Sequence, residues 1–311
     1  MNVSIVIATY NRCSDLEECL ASIFKLRNGP REVIVVDSGS TDGTKELQEH
    51  FPIRYVSIGE RNREHARNVG ISLASGGVVV FLDDDVVVHE DWLSCLTEPY
   101  VNDGVGGVGG RVVPYGRSEK FYVKTNRAEV GKVFKSGLVI GNFDVPLSVA
   151  IEVDSLIGCN VSFRRDALVE VGGFDENYLG TGYRDDTDVC MRIRRLGYKL
   201  MYQPKALVWH KFRGRQAGRD WSYWYVRNHT YFYFKNLFVQ SRTSFFRFLC
   251  DMFFPPRDYV SKSGVGVEIR PFLVLNSVRG FYDGYGTWRK SGQAKNSPLK
   301  RRVGGVKRNV Q

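Results

Sequence analysis

Three consecutive aspartates, Asp83, Asp84 and Asp85, stand between two runs of apolar β-forming residues in VVVFLDDDVVV. Like charges at the end of a buried strand repel one another, so a counter-charge is expected nearby. Side chains two apart in an extended chain point the same way, which lets Asp83 and Asp85 face one pocket while Asp84 turns aside. A divalent cation, Mg²⁺ or Mn²⁺, would neutralise this pair and could also bind substrate phosphates. A solvated acidic turn is the simpler alternative.

A second acidic cluster follows roughly a hundred residues later, in RDDTDVCMRIRRLGY. The spacing of its apolar residues predicts a helix, and the first turn of that helix would carry Asp185, Asp186 and Asp188, where the helix dipole stabilises negative charge. One of these carboxylates could act as general base when a hydroxyl nucleophile must lose its proton. Alternatively, the three residues form no more than a charged first turn.

Two further side chains could take part in the same chemistry. The segment REHARNVG places Arg67 on the inner face of a predicted helix, where its guanidinium could pair with a diphosphate. An ordinary surface arginine would look the same. His210 follows a short apolar strand in VWH and could complete a metal shell, although a lone histidine is more often structural.

The elements that must position these residues alternate between strand and helix. Short β-branched runs predict buried strands over 3–9, 32–37 and 78–83, and helices are predicted to begin at Ser14 and at Thr41. This alternation is typical of an α/β domain with a mostly parallel sheet. Ligands of such sheets bind at the carboxyl ends of the strands, where the segments ATYNR, DSGSTDGT and DDD all fall.

Seven segments, in consistent order over roughly residues 1–235, together resemble glycosyltransferase family 2. They are SIVIATYNR, VIVVDSGSTDGT, ARNVG, VVVFLDDDVVV, GCNVSFRRDALVEVGGFDE, DDTDVCMRIRRLGY and VWH. The resemblance implies a GT-A fold, which is a Rossmann-like, mostly parallel sheet flanked by helices. It also implies an inverting enzyme that uses a nucleotide-diphosphate sugar with Mn²⁺ or Mg²⁺ and transfers the sugar to a hydroxyl of a glycan or lipid-linked acceptor.

The resemblance also implies a role for each matching residue. It assigns one set to the nucleotide-sugar donor: Thr9, Tyr10, Arg12, Asp37, Asp42, Arg67, Asp83 and Asp84. In that set Thr9, Tyr10 and Arg12 would border the nucleobase. Asp37 would hydrogen-bond the base, and Asp42 and Arg67 would lie near the nucleotide and its diphosphate.

The remaining matches concern the metal, the acceptor and the proton transfer. Asp85 and His210 would ligate the metal, and Cys159 and Asn160 would line the acceptor pocket. Asp185 and Asp186 match the catalytic acidic pair, with Asp186 as the base. The family usually has Glu before this Asp, and Asp185 is one methylene shorter, which leaves open which carboxylate reaches the acceptor.

The 311-residue chain has a formal net charge of +10, and its charge is unevenly distributed between its two parts. Residues 1–210 carry 24 Lys and Arg against 29 Asp and Glu, whereas residues 211–311 carry 20 against five. We expect a catalytic domain over 1–220, an aromatic and basic helical extension over 221–288, and a disordered basic tail over 289–311. The extension could bind an anionic membrane surface or simply pack on the catalytic domain.

Cysteine usage, the N-terminal segment and the basic tail limit which classes of protein this can be. The six cysteines are scattered without a CxxC pair, which favours reduced thiols, and the N-terminus does not resemble a signal peptide. The chain is therefore expected to be cytoplasmic and peripheral at the inner face of the membrane. No nucleic-acid partner is expected, because no recognised motif accompanies the basic tail. A nucleotidyltransferase and a non-catalytic glycan- or membrane-binding protein remain as alternatives, and the sequence does not specify the sugar.

Overall fold

The computed structural model describes residues 1–121, 129–211, 221–238, 245–253 and 271–295. Its strands are β1 (Val3–Thr9), β2 (Glu32–Asp37), β3 (Arg54–Ser57), β4 (Val78–Asp83), β5 (Val86–Val88), β6 (Val105–Pro114), β7 (Lys132–Val133), β8 (Val139–Ile140), β9 (Ile151–Val153), β10 (Asn160–Arg164) and β11 (Lys199–His210). Its α-helices are α1 (Cys13–Ile23), α2 (Arg63–Leu73), α3 (Trp92–Thr97), α4 (Arg165–Glu170), α5 (Asp185–Arg195), α6 (Trp221–Asn236), α7 (Phe245–Phe253) and α8 (Pro271–Lys295).

Nine of the strands form one central sheet in the order β3-β2-β1-β4-β10-β6-β11-β5, with β9 also paired to β11. β1 pairs in parallel with β2 and β4, and β6 pairs in parallel with β11. Six strands run in one direction, while β5, β9 and β10 run in the other. The prediction of a mostly parallel α/β sheet is confirmed, and the strands predicted over 3–9, 32–37 and 78–83 have these same bounds.

The sheet separates two apolar cores. In β1, Ile5 and Ile7 face a core that includes α1 and α3, whereas Val6 faces the core beneath α2, α4 and α5. Alternate side chains of a strand point to opposite faces, so a strand covered on both sides is apolar throughout. The continuous β-branched runs of the sequence follow from this double burial.

One predicted helix is wrong. The segment from Thr41 forms only a short 3₁₀ helix, Lys45–Glu49. Gly43 lies in the left-handed region at φ +86°, and Asp42 accepts a hydrogen bond from the Thr44 hydroxyl at 2.6 Å, so the residues before Lys45 form a turn. Pro52 follows closely and disfavours helical backbone in the residue before it. Little more than one helical turn fits between these two constraints.

The extension packs against the catalytic domain. On α6 the side chains of Tyr231, Phe232, Tyr233 and Phe234 are buried, in a cluster that also includes Tyr178 and residues of α7 and α8. The packing alternative therefore holds for this aromatic run. None of the described helices combines the length and apolar character needed to span a bilayer. α8 continues to Lys295, so the tail prediction is wrong for residues 289–295, and residues 296–311 lie outside the described ranges.

A buried ionic cluster joins α6 to the catalytic domain. The Lys235 ammonium on α6 lies 2.6 Å from an Asp175 oxygen and 2.8 Å from an oxygen of fully buried Asp188 on α5. Burial alone would raise the pKa of Asp188, but the charges of Lys235 and Arg192 outweigh it and lower that pKa. A carboxylate whose pKa is lowered by folding stabilises the fold at pH values above its ordinary pKa near 4. This stabilisation is lost as the pH falls through the lowered pKa.

We expect Lys235→Met to lower the free energy of unfolding by about 3 kcal/mol, because the substitution leaves two carboxylates short of a cation in a buried setting. The measurement is urea unfolding at neutral pH. Lys199→Met is the matched control, since Lys199 forms only an exposed pair with Glu152 at 3.3 Å and its loss should cost less than about 1 kcal/mol. Equal losses in the two variants would contradict the structural role of Lys235.

Candidate active site

The carboxyl ends of β4 and β11, with the turn that follows β4, bring the first acidic cluster together. Asp83 ends β4, Asp85 lies in the turn between β4 and β5, and His210 ends β11. One ligand atom from each of these three side chains lies within 4.8 Å of the others. β11 and β5 pair in register, with His210 opposite Val86, and this pairing places the imidazole beside the aspartates.

Asp85 has two neighbours, His210 and Arg12, that offset the repulsion expected among the three aspartates. His210 Nε2 lies 2.9 Å from one carboxylate oxygen, and the Arg12 guanidinium lies 2.5 Å from the other. Burial would raise the pKa of Asp85, but its hydrogen bonds and charge interactions with His210 and Arg12 hold that pKa below its usual value. The sequence placed Arg12 at the nucleobase and did not identify it as this counter-charge.

Asp84 lies with Asp85 in the turn between β4 and β5, so the strand alternation used to predict its direction does not apply there. It accepts a hydrogen bond from the Thr9 hydroxyl at 2.8 Å and lies 3.3 Å from Arg12. Burial is the main cause that raises the pKa of Asp84, to about 7. Asp84 therefore ties the end of β1 to the end of β4, and it is absent from the group of possible metal ligands among the described residues.

The donor set of Asp83, Asp85 and His210 fits a divalent cation. Two carboxylates and one imidazole supply oxygen and nitrogen ligands of the kind that Mn²⁺ accepts, and carboxylates alone suit Mg²⁺. Three protein ligands also leave coordination positions for a substrate. The resemblance named Asp85 and His210 as metal ligands and gave Asp83 to the donor, whereas the spacing of the aspartates had paired Asp83 with Asp85 around one cation. The structure brings all three side chains together.

Arg67 joins this cluster to the second one. Its side chain is 3% exposed, and its guanidinium lies 2.8 Å from Asp185 and 3.4 Å from Asp83. It also donates to the backbone carbonyl of Gly158 at 3.2 Å. The prediction that Arg67 lies at the inner face of a helix near the donor site fits this position, while its contact with a diphosphate stays a prediction.

A second arginine was missed by the sequence analysis. Arg63 lies one helical turn before Arg67 on α2, and its guanidinium is 3.0 Å from the same Asp185 oxygen that Arg67 contacts. The i, i+4 spacing of the two arginines indicates a shared helix face. That spacing was the available signal, but only the fold reveals which carboxylate they share.

The two carboxylates of the pair have different surroundings. Asp185 is 3% exposed and is fixed by the two arginines. Asp186 is partly exposed and accepts a hydrogen bond from the Gly158 backbone N–H at 3.0 Å. Burial first, and then the negative charge of Asp185, raise the pKa of Asp186. Of the two, Asp186 therefore has the position and the basicity that suit a proton acceptor.

A group of predicted nucleotide residues lies around the end of β2. Asp37 is fully buried and accepts hydrogen bonds from Ser40 N–H at 3.0 Å and Tyr55 OH at 2.5 Å. Exposed Asp42 accepts from the Cys13 N–H at 2.9 Å. These contacts order the turns after β1 and β2, and direct contact of Asp37 or Asp42 with a nucleotide stays a prediction.

The Tyr10 ring adds an aromatic surface beside these turns. The guanidinium of exposed Arg61 stacks over the ring at 4.0 Å from its centroid. This cation–π contact shows that one face of Tyr10 can accept a planar group. Arg61 carried no signal in the sequence, because nothing in its spacing relates it to Tyr10.

The acceptor prediction for Asn160 does not agree with its position. Asn160 is fully buried, its side-chain amide donates to the carbonyls of Arg111 at 3.1 Å and Ala206 at 3.0 Å, and its oxygen accepts from Trp92 Nε1 at 2.9 Å. These bonds join β10 to its neighbours and are typical of a core amide. Cys159 is also buried, with its thiol pKa raised well above normal by burial. Neither side chain faces an open pocket.

Comparisons with known proteins agree with this geometry. Residues 4–172 match the family described as glycosyl transferase family 2, and residues 145–211 match the N-terminal domain of galactosyltransferase. Over 247 residues the chain is 30% identical to a glucosyl-dolichyl phosphate glucuronosyltransferase of Haloferax volcanii, covering 72% of this chain and 75% of that protein. Over 215 residues it is 26% identical to a poly-beta-1,6-N-acetyl-D-glucosamine synthase of Staphylococcus aureus, covering 67% of this chain and 49% of the synthase. The chain thus spans about half the length of that second relative.

Solved structures share the fold. The mannosyltransferase PcManGT from Pyrobaculum calidifontis, in complex with GDP-Man and Mn²⁺, has a TM-score of 0.57 at 20% identity, covering 94% of this chain and 83% of that one. GalNAc-T7 with UDP, GalNAc and Mn²⁺ has a TM-score of 0.55 at 19% identity, covering 86% and 58%. The family match extends over more than half of the 311 residues, which decides against a nucleotidyltransferase. The chain belongs to glycosyltransferase family 2 and is a glycosyltransferase with the GT-A fold.

Proposed function

We propose that this enzyme transfers a sugar from a nucleoside-diphosphate donor to a hydroxyl of a glycan or lipid-linked acceptor, with inversion at the anomeric carbon. The observation that carries the proposal is the bridge made by Arg67. This guanidinium joins the metal-type cluster of Asp83, Asp85 and His210 to the acidic pair of Asp185 and Asp186. A leaving diphosphate and an attacking hydroxyl both need such groups within one cleft.

The acceptor class is supported by the two relatives. One acts on a glucosyl-dolichyl phosphate and the other makes a polysaccharide, so both a lipid-linked and a glycan acceptor fit this family. The donor-side residues Thr9, Tyr10 and Arg12 follow β1, and Asp37 ends β2 directly opposite Thr9 in the sheet. This placement supports a nucleotide site across the ends of the two strands.

In the proposed mechanism, residues of this chain accept the proton of the acceptor and stabilise the charge of the leaving group. Asp186 takes the proton of the acceptor hydroxyl as the new oxygen–carbon bond forms and the bond from the anomeric carbon to the diphosphate oxygen breaks. Attack from the face opposite the leaving group inverts the configuration. Arg63 and Arg67 hold Asp185, which fixes the first turn of α5. A divalent ion held by Asp83, Asp85 and His210 would stabilise the charge on the leaving diphosphate.

Asp186→Asn should abolish transfer while leaving donor binding nearly unchanged, because the amide cannot accept the proton. In the wild type, kcat should fall as the pH falls through the raised pKa of Asp186, since the protonated carboxyl is no base, and it should be retained above that value. Both are measured with a labelled donor and the acceptor. Asp166→Asn, at an exposed position on α4, is the control and should keep full activity. Transfer at the wild-type rate by Asp186→Asn would remove this residue as the base.

The metal proposal has a readout that does not depend on activity. We expect Mn²⁺ to bind the donor-free protein, and His210→Asn to weaken this binding by roughly tenfold or more, because a shorter side chain with a weakly coordinating amide oxygen replaces the imidazole, one of three candidate ligands. Electron paramagnetic resonance of free Mn²⁺ measures it directly. His89→Asn is the matched control, because the ligand group among the described residues does not include His89. Equal Mn²⁺ affinity in wild type and His210→Asn would contradict the assignment.

We also propose that the extension binds the anionic inner face of the cytoplasmic membrane. Phe246 on α7 and Tyr282 on α8 are 76% and 69% exposed, and Arg279, Arg289 and Lys290 on α8 are exposed as well. Aromatic rings settle among lipid headgroups, and each basic residue near an anionic surface adds about 1 kcal/mol. A lipid-linked acceptor would be reached from this surface.

Sedimentation with vesicles tests the membrane proposal. We expect the protein to bind vesicles of phosphatidylglycerol and phosphatidylcholine, to release them at about 0.5 M salt because charge is screened, and to ignore pure phosphatidylcholine. Phe246→Ser should weaken binding several-fold. Val101→Ser, which removes an 88% exposed apolar side chain outside the extension, should not. Binding that is insensitive to salt and to Phe246→Ser would contradict this surface.

A further inference from the structure

A band of polar side chains on α6 is buried against the loop that leads into the catalytic pair. Arg227, Asn228, His229 and Thr230 are at most 5% exposed. The Asn228 amide donates to the Leu179 carbonyl at 2.8 Å, and Arg227 donates to the carbonyl of Asn177. Polar groups in such a position cost free energy unless each is matched, so this band is fitted to one conformation of the loop.

The loop over residues 180–184 has an unusual backbone. Gly180 and Gly182 have φ values of +68° and +61° and lie against Trp224 of α6 and Arg63 of α2 respectively, so close that a β-carbon would clash. Arg184 also lies in the left-handed region, at φ +76°, although it is not a glycine. A non-glycine residue keeps such a conformation only where its surroundings hold it there.

His229 and Phe232 of α6 both contact Arg184, and His229 is the one that accepts a hydrogen bond from it. The Arg184 Nε donates to His229 Nδ1 at 3.3 Å, and its guanidinium lies 4.3 Å above the Tyr183 ring. Because a guanidinium can only donate, Nδ1 of His229 must be the unprotonated nitrogen. The imidazole is itself enclosed: His229 is 4% exposed, and its ring is stacked 5.5 Å from the Phe248 ring of α7. Burial, followed by the charge of Arg184, lowers the pKa of His229 well below normal, which agrees with a neutral acceptor.

We propose that His229 is a positioning residue for sugar transfer: by accepting from Arg184, it fixes the left-handed residue from which α5 begins and so sets the position of Asp185 and Asp186. Arg184 immediately precedes this pair, so a change in its backbone moves both carboxylates. The proposal rests on the proposed function for its kinetic consequence. It makes the C-terminal extension part of the catalytic apparatus.

The test compares His229→Asn with His229→Leu. The two replacements have nearly the same shape, but Asn keeps a hydrogen-bond acceptor near the place of Nδ1 and Leu has none. We expect His229→Asn to keep kcat within about threefold of wild type. His229→Leu should lose about 30- to 100-fold in kcat, since a displacement near 1 Å costs that much, while the donor KM stays within about twofold. Equal kcat losses in both variants, or a change in donor KM as large as that in kcat, would overturn the proposal.

A second measurement does not depend on activity. Amide hydrogen exchange over residues 184–188 should quicken in His229→Leu and remain at the wild-type rate in His229→Asn, whether or not the proposed transfer is detected. Should His229→Leu fail to fold, Arg184→Gly replaces it, because glycine adopts the same positive φ without strain but has no guanidinium. Its kcat should fall to the same extent. Wild-type kcat and exchange in the variants without the Arg184–His229 contact would refute the positioning role.

Discussion

The rest of this site depends on the ion pairs made by the Arg67 guanidinium. It is buried, and it contacts Asp185 from the second acidic cluster and Asp83 from the first. A buried cation needs such partners, and removing one side of a buried pair typically costs about 3–5 kcal/mol. The carboxylates depend on Arg67 in turn. Without its positive charge, Asp83 and Asp185 would lose the cation that lies between them. One buried guanidinium therefore holds carboxylates of both acidic clusters close together.

The sheet explains why these residues meet. β1, β4 and β11 run in the same direction, so Thr9, Asp83 and His210 end at one edge. The antiparallel insertion of β10 between β4 and β6 brings Gly158, just before that strand, to the same edge, where its N–H contacts Asp186 and its carbonyl accepts from Arg67. The site is thus assembled by strand ends rather than by one loop, which limits how far its parts can move relative to one another.

The sequence predicted the parts of the fold that repeat a regular pattern. The buried strands and the acidic first turn of α5 could be predicted because apolar periodicity and a run of acids at a helix start are local signals. Roles that depend on a contacting residue elsewhere in the fold could not be predicted. Arg12, Arg63 and Asn160 carry the same local signals as other polar residues, and only tertiary contacts show that the first two neutralise aspartates while Asn160 joins strands in the core. The helix expected after Thr41 failed for a local reason, the turn at Gly43 and the proline at 52.

Asp185 and Asp186 have different environments although their side chains are identical. One oxygen of Asp185 contacts two guanidinium groups, which hold this side chain in place. Its fixed negative charge then acts on Asp186, where, together with burial, it raises the pKa of the neighbouring carboxyl. The positive charges of Arg63 and Arg67 act in the opposite direction and lower the pKa of Asp186, but burial and the charge of Asp185 outweigh them. The shorter Asp at position 185 is long enough to contact both arginines of α2.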